Sequence, residues 1–247
     1  MLDANSSTDT LKHDAAGLLC KLRTLSPRVH CVTNSVAQVL TANALLALGA
    51  EPSMTIAPEE MGAFVEGADA ALINLGTLDQ NRRASAIIAA ETATGLGKPF
   101  VLDPVFAHRS PTRKKLAETI VQLCPTAIRG NAEELRELSF KRDLIIEVET
   151  GSDDLVRAHG RHITVHNGHA YMAQATAMGC ALGAVMAASF AVEEQPEVAT
   201  VGALLIFGVA GEIAAKEALG PGSFVPVFID KLASLRRIDI ETHGRLS

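Results

Sequence analysis

The sequence predicts an α/β fold: a largely parallel sheet with helices on both faces. Three observations carry this. Short apolar runs alternate with helix-length segments from Val29 to Glu149. With 48% apolar and 20% charged residues, 247 residues can bury one large core, so residues 1–247 read as a single domain. Polar residues also recur directly after the apolar runs, where strands of such a sheet end and ligands bind.

The elements follow in order. Thr10 to Leu25 reads as a helix, Val29 to Thr33 as a strand, Val36 to Leu48 as a helix and Pro52 to Ile56 as a strand. Met61 to Gly67 is helical, Ala71 to Leu75 a strand, and Gln80 to Thr94 a helix closed by Gly95 and Gly97. Phe100 to Leu102 is a strand ended by Asp103-Pro104; Ala127 to Arg129 is a strand, Ala132 to Leu138 a helix and Leu144 to Glu149 a strand. Alternation between Asp154 and Met172 suggests a hairpin turning at Asn167-Gly168. Ala-rich helices are expected near Gly179 to Val192 and Glu197 to Leu219, then a last helix near Val225 to Leu235. The charged tail after Arg236 reads as disordered.

A net charge of −6, with basic residues scattered singly, leaves no footprint for nucleic acid or an anionic membrane. A small molecule is the expected partner. The start MLDANSSTDTLKHD has no basic stretch followed by an apolar one, which predicts a cytoplasmic protein. Tyr171 to Val192 lacks Asp, Glu, Lys and Arg and is long enough to span a bilayer. Its Ala and Gly content favours a buried helix instead. Cys20, Cys31, Cys124 and Cys180 lie too far apart for a zinc or disulfide framework, and three of the four read as core thiols.

Several polar residues cluster at predicted strand ends. Asn34 follows the first strand and Asn74 the third; Asn34 and Asp79 equally suit helix capping. Asp103, in V-L-D-P-V, is a carboxylate delivered to the sheet edge, suited to a magnesium-bound water or simply to a turn. Arg129 stands at another strand end and could clamp a phosphate, with Glu134 acting through water on magnesium or compensating a helix dipole. In Thr176-Ala177-Met178-Gly179-Cys180, backbone amides at a helix start could form an anion hole, with Gly179 permitting close approach. Cys180 in the first turn would have its pKa lowered by the dipole, unless it is a buried core thiol. His159, His162, His166 and His169 would alternate faces, and Gly220 to Phe224 reads as a helix stop and restart.

The ordered blocks V-H-C-V-T-N, A-N-x-L-L-A-L-G-A-x-P-x-M, I-N-L-G-T-L, V-L-D-P-V, I-R-G-N-A-x-E, H-N-G-H, T-A-M-G-C-A-L and G-P-G-S-F resemble the hydroxyethylthiazole kinases along nearly the whole chain. The resemblance implies a ribokinase-like fold and a homotrimer with sites between neighbouring subunits. It implies magnesium-dependent transfer of a phosphoryl group from ATP to the hydroxyl of 4-methyl-5-(2-hydroxyethyl)thiazole, a step of thiamine biosynthesis or salvage. By motif, Met54 and Ala177 line the thiazole site with Asn34 nearby, Arg129 and Thr150 contact ATP, and Asp103 and Glu134 organise magnesium. Cys180 stands where the wider group usually has an aspartate base, beside Gly179. One departure is plain: only 18 residues separate Asn131 from Thr150, where the family carries a further helix beside the nucleotide-binding edge. That shortening raises a second expectation, a thiazole-binding protein that has lost ATP turnover. A ribokinase-fold enzyme repairing a hydrated cofactor fits the Asn34 and Met54 blocks less well, and a cysteine hydrolase lacks a histidine placed to activate Cys180.

Overall fold

The computed structural model describes residues 8–140 and 144–247. Its first half is a series of strand and helix pairs. Helix α1 (Thr8–Leu25) leads into β1 (Arg28–Val32), α2 (Gln38–Ala47), β2 (Glu51–Ser53) and α3 (Pro58–Gly67). Strand β3 (Ala70–Asn74), α4 (Gln80–Gly95) and β4 (Phe100–Asp103) follow. A 3₁₀ turn at Ala107–Arg109 and α5 (Pro111–Val121) then connect to β5 (Ala127–Gly130), α6 (Ala132–Arg136) and β6 (Ile146–Glu149). The local signals are visible at the helix starts. Asp79 caps α4 by accepting from the Arg82 amide at 2.8 Å, and Ser110 does the same for α5 from Arg113.

Strands β1 to β6 pair in parallel; β7 (Asp154–Ala158) and β8 (Arg161–Val165) add an antiparallel edge, in the order β2-β1-β3-β4-β5-β6-β7-β8. Burial on both faces explains the near-continuous apolar strands. In β3, Ala70 and Leu72 face one core while Ala71 and Ile73 face the other. The second core belongs to α3, α4 and α5. The larger one holds α1, α2, α8 (Met178–Val192), α9 (Pro196–Glu217) and α10 (Pro221–Ser234). Helix α8 is apolar all round because it lies between the sheet and α9, touching β1, β3 and β4. Helix α9 is the one described helix long and apolar enough to cross a bilayer, and 83% of that apolar window is buried inside the fold.

Four expectations are corrected. The hairpin turns at His159-Gly160, both at positive φ (48° and 78°), while Asn167-Gly168 leads instead into a short helix, α7 (Ala170–Gln174). The apolar stretch from Tyr171 to Val192 is therefore two helices broken at Ala175–Ala177. The tail after Arg236 is ordered: α11 (Arg237–His243) buries Ile240, and Leu246 bridges to Val165. Of the four cysteines only Cys31 is buried; Cys20 and Cys124 are exposed.

Candidate active site

The carboxyl ends of the parallel strands open onto a cavity of about 900 Å³. Its polar end gathers Asp103, Arg129, Glu134, Thr150, Ala177, Gly179 and Cys180, residues from β4, β5, α6, the end of β6 and the start of α8. Asn34 sits behind it. Met54 does not line this cavity; it lies just past the edge strand β2, packed on the larger core.

Asp103 is fully buried. Its Oδ2 accepts from Asn74 Nδ2 at 2.7 Å and lies 3.6 Å from Arg129 Nη1, whereas Oδ1 has no hydrogen-bond partner. Burial pushes its carboxyl up to about 6; Arg129 opposes the shift and Glu134 adds to it. Arg129 is held from the far side by Thr150, whose hydroxyl accepts from Nη2 at 2.7 Å. The Thr150 amide bonds the Gly130 carbonyl at 2.8 Å, so the short connection still delivers Thr150 to the site. Glu134 is tied down on both oxygens, by the Phe106 amide at 2.8 Å and the Asn131 amide at 3.0 Å, completing a capping box on α6. These contacts give the glutamate its helix-start role.

At the start of α8, Ala177 adopts a left-handed conformation (φ 72°) and turns the chain into the helix. The amides of Met178, Gly179 and Cys180 have no hydrogen-bond partner among the described residues, and all three residues line the cavity. Arg129 lies directly over them. A Cβ added at Gly179 would stand 2.5 Å from both terminal nitrogens of Arg129, so the end of that flexible side chain would have to move away. Glycine therefore leaves room for the guanidinium to lie close to the unpaired amides at the start of α8.

The Cys180 thiol departs from expectation. Burial and the neighbouring Asp103 push it up to about 11, outweighing the Asn34 and Arg129 contributions that would lower it. Asn34 does not cap α2, whose N-cap position is Ala37; its Oδ1 accepts from the Val36 and Ala37 amides in the turn ahead of that helix, and its Nδ2 donates to Asn74 Oδ1 at 3.1 Å and to Cys180 Sγ at 3.2 Å.

The rest of the cavity escaped sequence reasoning. Asp154, whose carboxyl is pushed up to about 6 by burial, lines it beside Gly151, whose amide donates to Oδ1 at 3.2 Å. A position just beyond the Glu149-Thr150 strand end was its available signal. The opposite wall combines Asn167 to Ala170 and Met172 with Leu204, Phe207 and Gly208. Of the histidines, only His169 reaches it; His159 faces Glu197 and His166 faces Asp153. Gly220 to Phe224 begins α10 and does not line the cavity.

Comparison with known proteins gives the family. A family model described as the hydroxyethylthiazole kinase family matches residues 19–144 and 136–237. The two matched pieces meet where this chain is short. A probable hydroxyethylthiazole kinase from Agrobacterium fabrum is 41% identical over 232 residues, covering 94% of each chain. That alignment has no room for an inserted helix, so the relative is equally short there. The structure of a hydroxyethylthiazole kinase protein from Pyrococcus horikoshii superposes with a TM-score of 0.88 at 36% identity, covering 94% of this chain and 98% of that one. A ribokinase-like superfamily protein from Enterococcus faecalis, 14% identical over 94% of this chain and 92% of its own, shares the fold at a TM-score of 0.54. Matched over most of its length by the family model, and over 94% of it by a relative 41% identical, the chain belongs to the hydroxyethylthiazole kinase family.

Proposed function

We propose that the protein phosphorylates the hydroxyl of 4-methyl-5-(2-hydroxyethyl)thiazole with ATP, in the cytoplasm, as one kinase domain serving thiamine biosynthesis or salvage. One observation carries the reading: three unpaired helix-start amides meet a guanidinium and a buried carboxylate in a single cavity. Phosphoryl transfer asks for little covalent help from a protein, and mainly for positioning and charge stabilisation. Arg129 and the amides of Met178 to Cys180 supply both. The apolar wall with Leu204 and Phe207 takes the adenine.

The residues present also fit magnesium. Asp103 Oδ1 is buried without a partner, and Asp103, Glu134 and Asp154 outnumber the single guanidinium of Arg129 in the cavity lining. Such a lining repels a triphosphate until a cation balances it. Asp103, with Glu134 acting through water, would hold that ion, which neutralises phosphate charge. Cys180, neutral at physiological pH, orients the attacking hydroxyl rather than deprotonating it, and Asn34 orients the thiol.

Ala177 lines the cavity, but Met54 does not; the edge carrying Met54 also exposes Val36, Val39 and Leu46 around α2. That apolar surface supports a homotrimer in which a neighbouring subunit completes the thiazole site. A coupled ADP-release assay with the thiazole tests the proposal. Arg129→Ala and Gly179→Asp should each remove most turnover. Equal turnover in wild type and both variants would eliminate the site.

A further inference from the structure

The cavity wall at Asn167, Gly168 and His169 lies in a connection between β8 and α7, outside any regular element. Its anchor is Glu212 of α9, which does not itself line the cavity. Glu212 Oε1 accepts from the Gly168 amide at 3.0 Å, from Asn167 Nδ2 at 3.1 Å and from Arg245 Nη2 at 2.6 Å; Oε2 accepts from Arg245 Nη1 at 3.1 Å. Arg245 closes the circle, its amide donating to Asn167 Oδ1 at 2.8 Å and its Nη2 also to the His166 carbonyl. Asn167 Nδ2 further donates to the His243 carbonyl at 2.9 Å.

Two backbone features show that the placement is built in. Gly168 has φ +153°, and a Cβ added at Gly208 would stand 2.7 Å from Asn167 Cβ, so α9 presses directly on the loop. The segment Arg245–Ser247 is itself paired to β8, through Thr164 N–H to the Ser247 carbonyl at 2.7 Å and His166 N–H to the Arg245 carbonyl at 3.0 Å. Burial opposes the charge on Glu212, but Arg245 and the Gly168 amide outweigh it and hold its carboxyl below the ordinary value.

We propose that Glu212 and Arg245 are positioning residues for the nucleotide, setting through Asn167 and Gly168 the width of the cavity wall that ATP must fit. This rests on the reading that the cavity takes ATP. Removing Glu212 leaves the Gly168 amide without an acceptor and Arg245 without its bidentate partner, so the loop can move. Arg129, Gly179 and Asp103 keep their contacts, because Glu212 touches none of them.

The test measures KM for ATP and for the thiazole, kcat, the melting temperature and hydrogen exchange over residues 166–172 in wild type, Glu212→Ala, Glu212→Gln and Arg245→Gln. Glu212→Ala should raise the ATP KM about ten-fold, the size of one charge-assisted hydrogen bond, while kcat and the thiazole KM stay within about two-fold. Exchange over 166–172 should quicken, and Glu212→Gln should recover part of the ATP KM. Arg245→Gln leaves Glu212 bonded to Gly168 and Asn167, should show the same split more weakly, and decides the matter if Glu212→Ala does not fold. An unchanged ATP KM in the folded variants, or kcat and both KM values moving together, overturns the assignment. A wild-type protein that binds ATP without phosphorylating the thiazole sinks the kinase reading alone; calorimetric ATP affinities of wild type and variants then decide the role of Glu212.

Discussion

Gly179→Ala is the smallest change that perturbs the polar end of the cavity alone, where the phosphate is proposed to bind. The new Cβ would sit 2.5 Å from Nη1 and Nη2 of Arg129 and 2.8 Å from its Cζ. Ordinary contact needs about 3.5–4 Å, so the guanidinium must retreat by about 1 Å. Retreat strains its bond to Thr150 at 2.7 Å and its approach to Asp103 at 3.6 Å. A misplacement of about 1 Å at a reacting group costs on the order of 10²-fold in rate, or about 2.7 kcal/mol of transition-state stabilisation. The helix itself would gain up to about 1 kcal/mol from replacing glycine, so the variant should fold at least as well as wild type. Steady-state ADP release should therefore show kcat/KM down about 100-fold with the melting temperature unchanged or raised. In an Arg129→Ala background the same substitution should cost little more, because the colliding group has gone. A Gly179→Ala enzyme within two-fold of wild type, or full additivity with Arg129→Ala, would refute the packing argument.

Asp103→Asn should lose activity yet gain stability. The folded protein keeps the Asp103 proton until about pH 6, whereas the unfolded chain releases it near 3.8, so folding stability falls as pH rises between those values. Urea unfolding without nucleotide should show the variant more stable on the order of 2–3 kcal/mol at about pH 8 and little different near pH 4; a less stable variant at pH 8 contradicts the charge argument. Peptide mass spectrometry after iodoacetamide treatment at about pH 8 should find Cys180 alkylated more slowly than the exposed Cys20 and Cys124, since its thiol is pushed up to about 11. Preferential labelling of Cys180 would contradict this. Gly202→Ala should lower stability by about 1–3 kcal/mol, because its Cβ would meet Leu18 Cδ2 at 2.6 Å and the Ala15 carbonyl at 3.0 Å where α1 crosses α9. A neutral effect on the melting temperature would show that these helices can separate at little cost.

The polar end of the cavity was legible because each of its groups announces itself locally. Asp103 and Arg129 each end an apolar run, and Gly179 opens an apolar helix, so strand-end logic gathers them without knowledge of the sheet order. The opposite wall was not legible. It joins Asn167 to Met172 with Leu204 and Phe207, residues that read as a hairpin turn and a core helix until the chain folds them together. Asn167-Gly168 misled for a physical reason: the pair suits a tight turn, but Asn167 spends its side chain on Glu212, His243 and Arg245, while His159-Gly160 turns the hairpin. Helix α5 carried its own signals in Ser110-Pro111 and the spacing of Leu116, Ile120 and Val121, which sequence reading passed over. Helix α11 was hidden by its charge, although Arg236 and Asp239 form its cap. The thiol of Cys180 depended on burial and on Asp103, neither of which a helix-start argument contains.

If Gly179 and its neighbouring amides receive the phosphoryl group, transfer fails when that helix start is blocked. Phosphorus NMR of a mixture of enzyme, magnesium, ATP and hydroxyethylthiazole follows that group directly. Wild type should convert the γ-phosphate signal into a phosphomonoester, and Gly179→Asp should leave ATP intact over the same period. Equal monoester formation by both proteins would contradict it.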